Sequence, residues 1–185
     1  RFTNPDTIEK GAGALKHRNL VLGMLAIFMY VGAEVSIGSI MISFLGLDNI
    51  ANLNNNDASN FVSVYWGGLM IGRFSGALSL SSLKKVKKYL LMLASSALGF
   101  AIIYFSIYLK SGMQFNLIMP FILIVLLNYL AFMFGRSMAN KTLTIFAIVS
   151  IAFLITGIST SGYIAMWAII GIGLFNSIMW SNIFT

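Results

Sequence analysis

Residues 20–45 read LVLGMLAIFMYVGAEVSIGSIMISFL, twenty-six positions that include one residue of the Asp, Glu, Lys and Arg class, Glu34. Apolar residues follow one another without the strict alternation of a half-buried strand. Wound as a helix at 1.5 Å per residue, the run is about 39 Å long, enough to cross a hydrocarbon core of about 30 Å. Inside hydrocarbon each unpaired N–H or C=O costs several kcal/mol, so only helices and closed barrels span it. A non-alternating run of this length is therefore a membrane helix.

Five more segments of the same kind follow, at 61–83, 89–109, 117–135, 142–159 and 163–184. Of the 185 residues, 58% are hydrophobic and 9% charged, and the mean hydropathy is +0.88. An ordinary soluble domain carries about 25% charged residues. A soluble globule is excluded, and the expected fold is all-α: a polytopic transmembrane bundle of about six spans over 18–185, preceded by a cytoplasmic loop segment at 1–17.

The net charge of +7 is a topology signal once its positions are read. Lys and Arg accumulate on the cytoplasmic side of membrane spans. Arg1, Lys10, Lys16 and Arg18 precede the first span; Lys84, Lys85, Lys87 and Lys88 follow the second; Arg136 and Lys141 flank the loop after the fourth. The intervening connections hold Asp48 and Asp57 in 46–60, a lone Lys110, and the Ser161-Gly162 turn. Ten basic residues fall on one side and one on the other, with Arg73 left within a span. Loops 84–88 and 136–141 are thus expected to be cytoplasmic. The segment starting at Arg1 has no secretory h-region, and the last span runs to Thr185 without a basic flank. The chain reads as part of a larger polytopic protein.

Several function classes fall away. With no cysteine there is no disulfide, thiolate nucleophile or cysteine metal site. A single histidine, His17, lies between Lys16 and Arg18 and reads as a solvated juxtamembrane residue. The basic residues track loops rather than a binding face, which argues against nucleic acid. One carboxylate in the membrane offers no acid–base pair, and no phosphate-binding glycine loop follows a strand. Neither an enzyme nor a cofactor is expected, and Asn128 is too isolated to interpret.

Two ionisable residues lie deep in the spans, Glu34 and Arg73, and intramembrane charges mark function by default. Placing one at the bilayer centre costs about 2.5–3.5 kcal/mol on insertion scales. Protonation of Glu34, hydrogen bonds from neighbouring helices, or pairing with Arg73 would each relieve it. Glu34 is fourteen residues from the inner end of its span and Arg73 ten from that of its own, about 21 and 15 Å, a gap that an arginine side chain covers. Arg73 has a structural alternative in snorkelling inward or binding carbonyls.

Tyr30, Glu34 and Gly38 share one helix face at i, i+4, i+8. Trp66 shares a face with Arg73, and Asn176 with Trp180. An aromatic ring beside a hydrogen-bonding group suits a sugar, whose C–H faces stack while its hydroxyls need partners. Gly68, Gly72 and Gly76 recur every fourth residue and read as a seam for close helix packing.

The string Tyr30-Val31-Gly32-Ala33-Glu34-Val35-Ser36-Ile37-Gly38-Ser39 resembles the start of the C-terminal half of bacterial sugar permeases of the fucose and glucose/galactose type, within the major facilitator superfamily. Tyr65-Trp66-Gly67-Gly68-Leu69-Met70-Ile71-Gly72-Arg73-Phe74 is similar to that family's next helix. Gly173-Leu174-Phe175-Asn176-Ser177-Ile178-Met179, followed by Ile183-Phe184-Thr185, is similar to its tenth. The resemblance implies a multi-pass carrier of the bacterial inner membrane, commonly driven by protons, with two six-helix bundles around a central cavity. This chain would be most of the second bundle, with the N-terminal bundle of the same protein as its partner and a monomer as its state.

Two departures stand out. Three spans separate Arg73 from the Asn-Ser helix where the family has one, so 89–135 reads as an inserted hairpin. Trp180-Ser181-Asn182 stands where relatives often have Phe-Pro-Thr, which restores a backbone N–H. The family's proton-handling carboxylate is generally assigned to the first bundle, which leaves Glu34 a sugar-hydroxyl role as well as a proton role.

The expectation is a sugar carrier of the fucose, glucose or galactose class working by alternating access, with proton symport. Tyr30, Glu34, Trp66 and Asn176 contact the sugar, and Arg73 sets the charge or position of Glu34. Two alternatives stand beside it: a carrier of the same superfamily for a non-sugar solute, and a non-transporting membrane sensor or structural subunit.

Overall fold

The computed structural model describes residues 13–135, 138–179 and 183. Arg1, Lys10, Arg136, Trp180, Ser181, Asn182, Phe184 and Thr185, which carry some of the expectations above, lie outside them. After a short 3-10 turn at Gly13–Lys16 come six helices: α1 Arg18–Leu45, α2 Asn55–Leu80, α3 Lys85–Ser111, α4 Phe115–Gly135, α5 Ala139–Ser159 and α6 Gly162–Asn176. No strand occurs among the described residues.

The helix limits have local causes. α2 starts at Asn55, six residues ahead of the hydropathy boundary, because the Asn54 side chain accepts a hydrogen bond from the Asp57 N–H at 2.9 Å, an N-cap that satisfies one orphan donor. α3 ends at Gly112, whose φ of +63° is the left-handed C-terminal turn that glycine adopts without a Cβ penalty. Gly162 opens α6 at φ +69° and donates its N–H to the Asn49 carbonyl at 2.9 Å, tying the α1–α2 loop to the α5–α6 turn.

Four helices, α1, α3, α4 and α5, are long and apolar enough to cross a membrane. The sequence had suggested six such spans. α2 has the length, but polar residues from Asn55 to Asn60 and its Ser, Gly and Arg content dilute its hydropathy. α6 has fifteen residues. These two helices form the packed centre. Eleven residues of α6 are buried, whereas α1 buries only Tyr30, Glu34, Met41 and Leu45.

α2 and α6 meet along the glycine seam. A Cβ on Gly68 would lie 2.7 Å from Leu174 Cδ1, one on Gly76 2.7 Å from Ile178 Cδ1, and one on Gly72 2.7 Å from the Leu174 carbonyl oxygen, beside Ser177. Gly173 answers from α6, where a Cβ would reach Tyr65 at 2.8 Å. In lipid, where burial of apolar surface no longer drives association, such close contact of backbones holds helices together.

Ring clusters and polar links complete the bundle. Phe132, Phe146, Phe175 and Phe153 join α4, α5 and α6 with successive centroid separations of 4.7, 5.2 and 5.5 Å. Ser75 and Ser96 bond across α2 and α3 at 3.0 Å, and Asn128 donates Nδ2–H to the Leu174 carbonyl at 3.2 Å. Asn128, uninterpretable in the sequence, is a cross-link between α4 and α6.

The two ends of the bundle differ in charge. Asp48, Asp57 and Lys110 lie toward the end formed by the α1–α2, α3–α4 and α5–α6 connections, which the Gly162–Asn49 bond and a cavity lined by Asp57, Gln114 and Tyr163 bring together. The opposite end carries Lys16, Arg18, Lys84, Lys85, Lys87, Lys88 and Lys141, with no acidic residue among the described residues there. A groove at that end is bordered by Asn19, Ala139 and Ile183.

Candidate functional site

α1 presents Tyr30 and Glu34 one turn apart on the stripe it turns toward α2. Glu34 is sixteen residues from the start of α1 and eleven from its end, about 24 and 16 Å along the axis, so its carboxyl is far from both ends. The structure joins it to Arg73. Arg73 Nη2–H donates to Glu34 Oε1 at 2.8 Å and approaches the Tyr30 hydroxyl at 3.4 Å. The Tyr30 hydroxyl donates to the other carboxylate oxygen, Oε2. Both oxygens of the acid are therefore engaged, one by a cation and one by a phenol, the two partners that make a carboxylate tolerable away from water.

Exposure across the pair is uneven: the Glu34 side chain is 11% exposed and that of Arg73 55%. The acid is held inside while the guanidinium looks outward from the bundle. Trp66, Met70 and Phe74 continue the open surface of α2 around it. Trp66 sits two turns along from Arg73, and its ring lies over Gly38, where a Cβ would come within 2.8 Å of the indole. Gly38 lacks a side chain where the indole packs closely against α1. Trp66 also meets Tyr65 edge to face at a centroid separation of 5.4 Å. Such a surface combines a carboxylate, five guanidinium N–H donors, a phenol and an indole face.

Of the residues singled out from the sequence, Tyr30, Glu34, Arg73 and Trp66 come together on the α1–α2 face. Asn176 does not join them. It is buried in α6, where its Oδ1 accepts from the Ser150 hydroxyl of α5 at 3.4 Å. Its neighbour in the expected pair, Trp180, lies outside the described residues. Gly68, Gly72 and Gly76 face α6 rather than this surface. Sequence reasoning passed over Tyr65, whose hydroxyl donates to the Glu34 carbonyl at 3.0 Å and fixes the turn of α1 that carries the acid. Spacing gives no signal for it, because eight residues turn Tyr65 about 80° away from Arg73, toward the glycine seam. Among the described residues no group of three or more His, Cys, Asp or Glu is placed to hold a metal ion.

Comparison with known proteins finds sequence similarity to proteins named as transporters. The chain is 32% identical over 177 residues to a glucose/galactose transporter of Brucella abortus, an alignment covering 96% of this chain and 30% of that protein. A Helicobacter pylori protein provisionally named a glucose/galactose transporter is 29% identical over 169 residues, 91% of this chain and 28% of its own length. These similar proteins are sugar transporters by name. The chain spans about 30% of the length of the curated relatives it matches. No family model matches it, and neither does any solved structure. The relatives are named for transport and not for an enzymatic reaction, and the likeness covers α1 to α6 almost end to end.

Proposed function

We propose that this chain forms the second helical bundle of a sugar carrier of the major facilitator type, with the α1–α2 face as part of the sugar path. The observation that carries the reading is the Tyr30–Glu34–Arg73 cluster, set midway along α1 and open on its arginine side. The names of the relatives and the sequence resemblance support the same reading.

On this reading Glu34 accepts a sugar hydroxyl at Oε2 in place of the Tyr30 phenol, Arg73 donates to a hydroxyl oxygen, and Trp66 stacks on the C–H face of the ring. Arg73 and Tyr30 hold the carboxylate in position when no sugar is present. Asn176 contributes only if α6 moves it toward the path. All six helices cross the membrane, with α6 enclosed by its neighbours and α2 covered except on the face that carries Arg73. The basic end is cytoplasmic, and the membrane is a bacterial inner membrane. Alternating access by a monomer and coupling to protons complete the proposal, and 89–135, the α3–α4 pair, is an inserted hairpin.

Uptake of labelled glucose, galactose and fucose by the full-length protein in vesicles, with and without an imposed pH gradient, tests it. Hexose uptake that competes among sugars and loses at least tenfold with Glu34→Gln supports the site. Uptake indifferent to the gradient removes proton symport, and no hexose flux at all removes the carrier reading.

A further inference from the structure

Tyr65 is a wholly buried residue of α2 that meets two other helices. Its hydroxyl donates to the Glu34 carbonyl of α1 at 3.0 Å. The edge of its ring lies on Gly173 of α6, where a Cβ would stand 2.8 Å from Cδ2 and 3.0 Å from Cε2. That Cβ would also come within 2.8 Å of the Tyr65 carbonyl oxygen, so only a glycine leaves room for the ring. Hydroxyl and ring edge are parts of one rigid phenol. The place that α6 takes at Gly173 therefore bears directly on the turn of α1 that holds Glu34.

This bond differs in kind from the other bonds of Glu34. Tyr30, which donates to Oε2, belongs to α1 and moves with the acid. Arg73, which donates to Oε1, shares the carboxylate with the sugar in the function proposed above. Among the described residues, the Tyr65 bond is the one that ties this turn to another helix and leaves both carboxylate oxygens to other partners. It fills the spare acceptor position of a carbonyl whose first position is taken, in a helix, by the N–H four residues on. Beyond Tyr30 and Glu34, the buried side chains of α1 are Met41 and Leu45, about two and three turns further along, so little else holds the turn.

We propose that Tyr65 is a positioning residue, which passes the packing of α6 at Gly173 to the turn of α1 bearing Glu34 and so sets the affinity of that acid for a sugar. Asn176 lies about one turn beyond Gly173, so a shift of α6 that carried Asn176 toward the path would also press on the Tyr65 ring. Coupling runs through contiguous packed groups, and here two contacts suffice. The sugar half of the inference rests on the carrier reading, whereas the mechanical half is measurable without a sugar.

The test compares Tyr65→Phe, Gly173→Ala and the double variant in the full-length protein. Tyr65→Phe keeps the ring on Gly173 and removes only the hydroxyl. Without sugar, backbone amide hydrogen exchange over residues 30–38 should rise about three- to tenfold in each single variant and no further in the double one. Glucose affinity, read by equilibrium binding, should fall by a similar factor with the same non-additivity. Gly76→Ala, on the same seam but against Ile178, should alter neither readout. Should Gly173→Ala fail to fold, reciprocity supplies the second measurement: glucose should slow exchange over 170–176 in the unaltered protein and not in Tyr65→Phe. Unchanged exchange over 30–38 in Tyr65→Phe overturns the inference, as does additivity of the two substitutions or an unaltered glucose affinity. An unaltered protein that binds no hexose removes the carrier reading, and exchange over 30–38 still decides the link from α6 to Glu34.

Discussion

Replacing Arg73 by Met removes the cation from a carboxylate that the bundle holds 11% exposed, and the cost follows from where the two charges sit. Fully exposed pairs contribute about 0.2–1 kcal/mol, and breaking a fully buried one costs about 3–5 kcal/mol. Here the acid is enclosed but the arginine is 55% exposed, so part of the field is screened, and Arg73→Met should cost about 1–3 kcal/mol. Glu34→Gln should cost less, because the amide oxygen still accepts from Arg73 or Tyr30 and a half-exposed guanidinium reaches water. The double variant leaves no charge behind and should cost less than the sum of the two, with a coupling of about 1–2 kcal/mol. The assay is a double-mutant cycle on the unfolding free energy of the full-length protein in mixed detergent, with hexose affinity measured on the same four proteins. Additivity within about 0.5 kcal/mol would refute the claim that Arg73 is what makes Glu34 tolerable. Coupling in stability with no change in hexose affinity would leave the pair structural and remove it from the sugar path.

Three further expectations follow from particular contacts. Gly72→Ala drives a Cβ into Ser177 and the Leu174 carbonyl and should destabilise the bundle by about 1–3 kcal/mol, whereas Gly23→Ala, with nothing within 4 Å, should be neutral or stabilising; thermal unfolding in detergent compares them. Trp66→Ala should weaken hexose binding about tenfold at unchanged expression, read by equilibrium binding, and an unaltered affinity would show that the indole merely covers Gly38. A membrane-impermeant maleimide added to intact cells should label Asp48→Cys and not Val86→Cys, since the two positions lie at opposite ends of the bundle; labelling of both or neither breaks the assigned sidedness.

The sequence was most legible where a single physical requirement dominates. Apolar run length located α1, α3, α4 and α5, because a lipid-facing helix must be apolar nearly all round. The same rule blurs for α2 and α6. Much of their surface meets other helices, so Asn60, Ser75, Ser79 and Asn176 are buried against protein, and hydropathy alone no longer marks such helices. Glycine spacing identified a seam but not its partner, since which helix answers Gly72 depends on where Ser177 arrives after three intervening helices.

The site divides in the same way. Tyr30, Glu34 and Gly38 were readable as one face because helical periodicity is local, and the reach of Arg73 followed from depth along two neighbouring helices. The position of Asn176 relies on the crossing of α5 and α6, which no spacing within α6 encodes. The open side of Arg73 has the same origin. α2 spends one face on α6 through glycines and another on α3 through contacts such as Ser75 with Ser96, so the remaining face, bearing Trp66, Met70, Arg73 and Phe74, is turned outward beside α1. The charge within that face is what argues, on the proposed reading, against lipid there: hydrocarbon against a half-exposed guanidinium would forfeit its hydration, whereas a water-filled path would not.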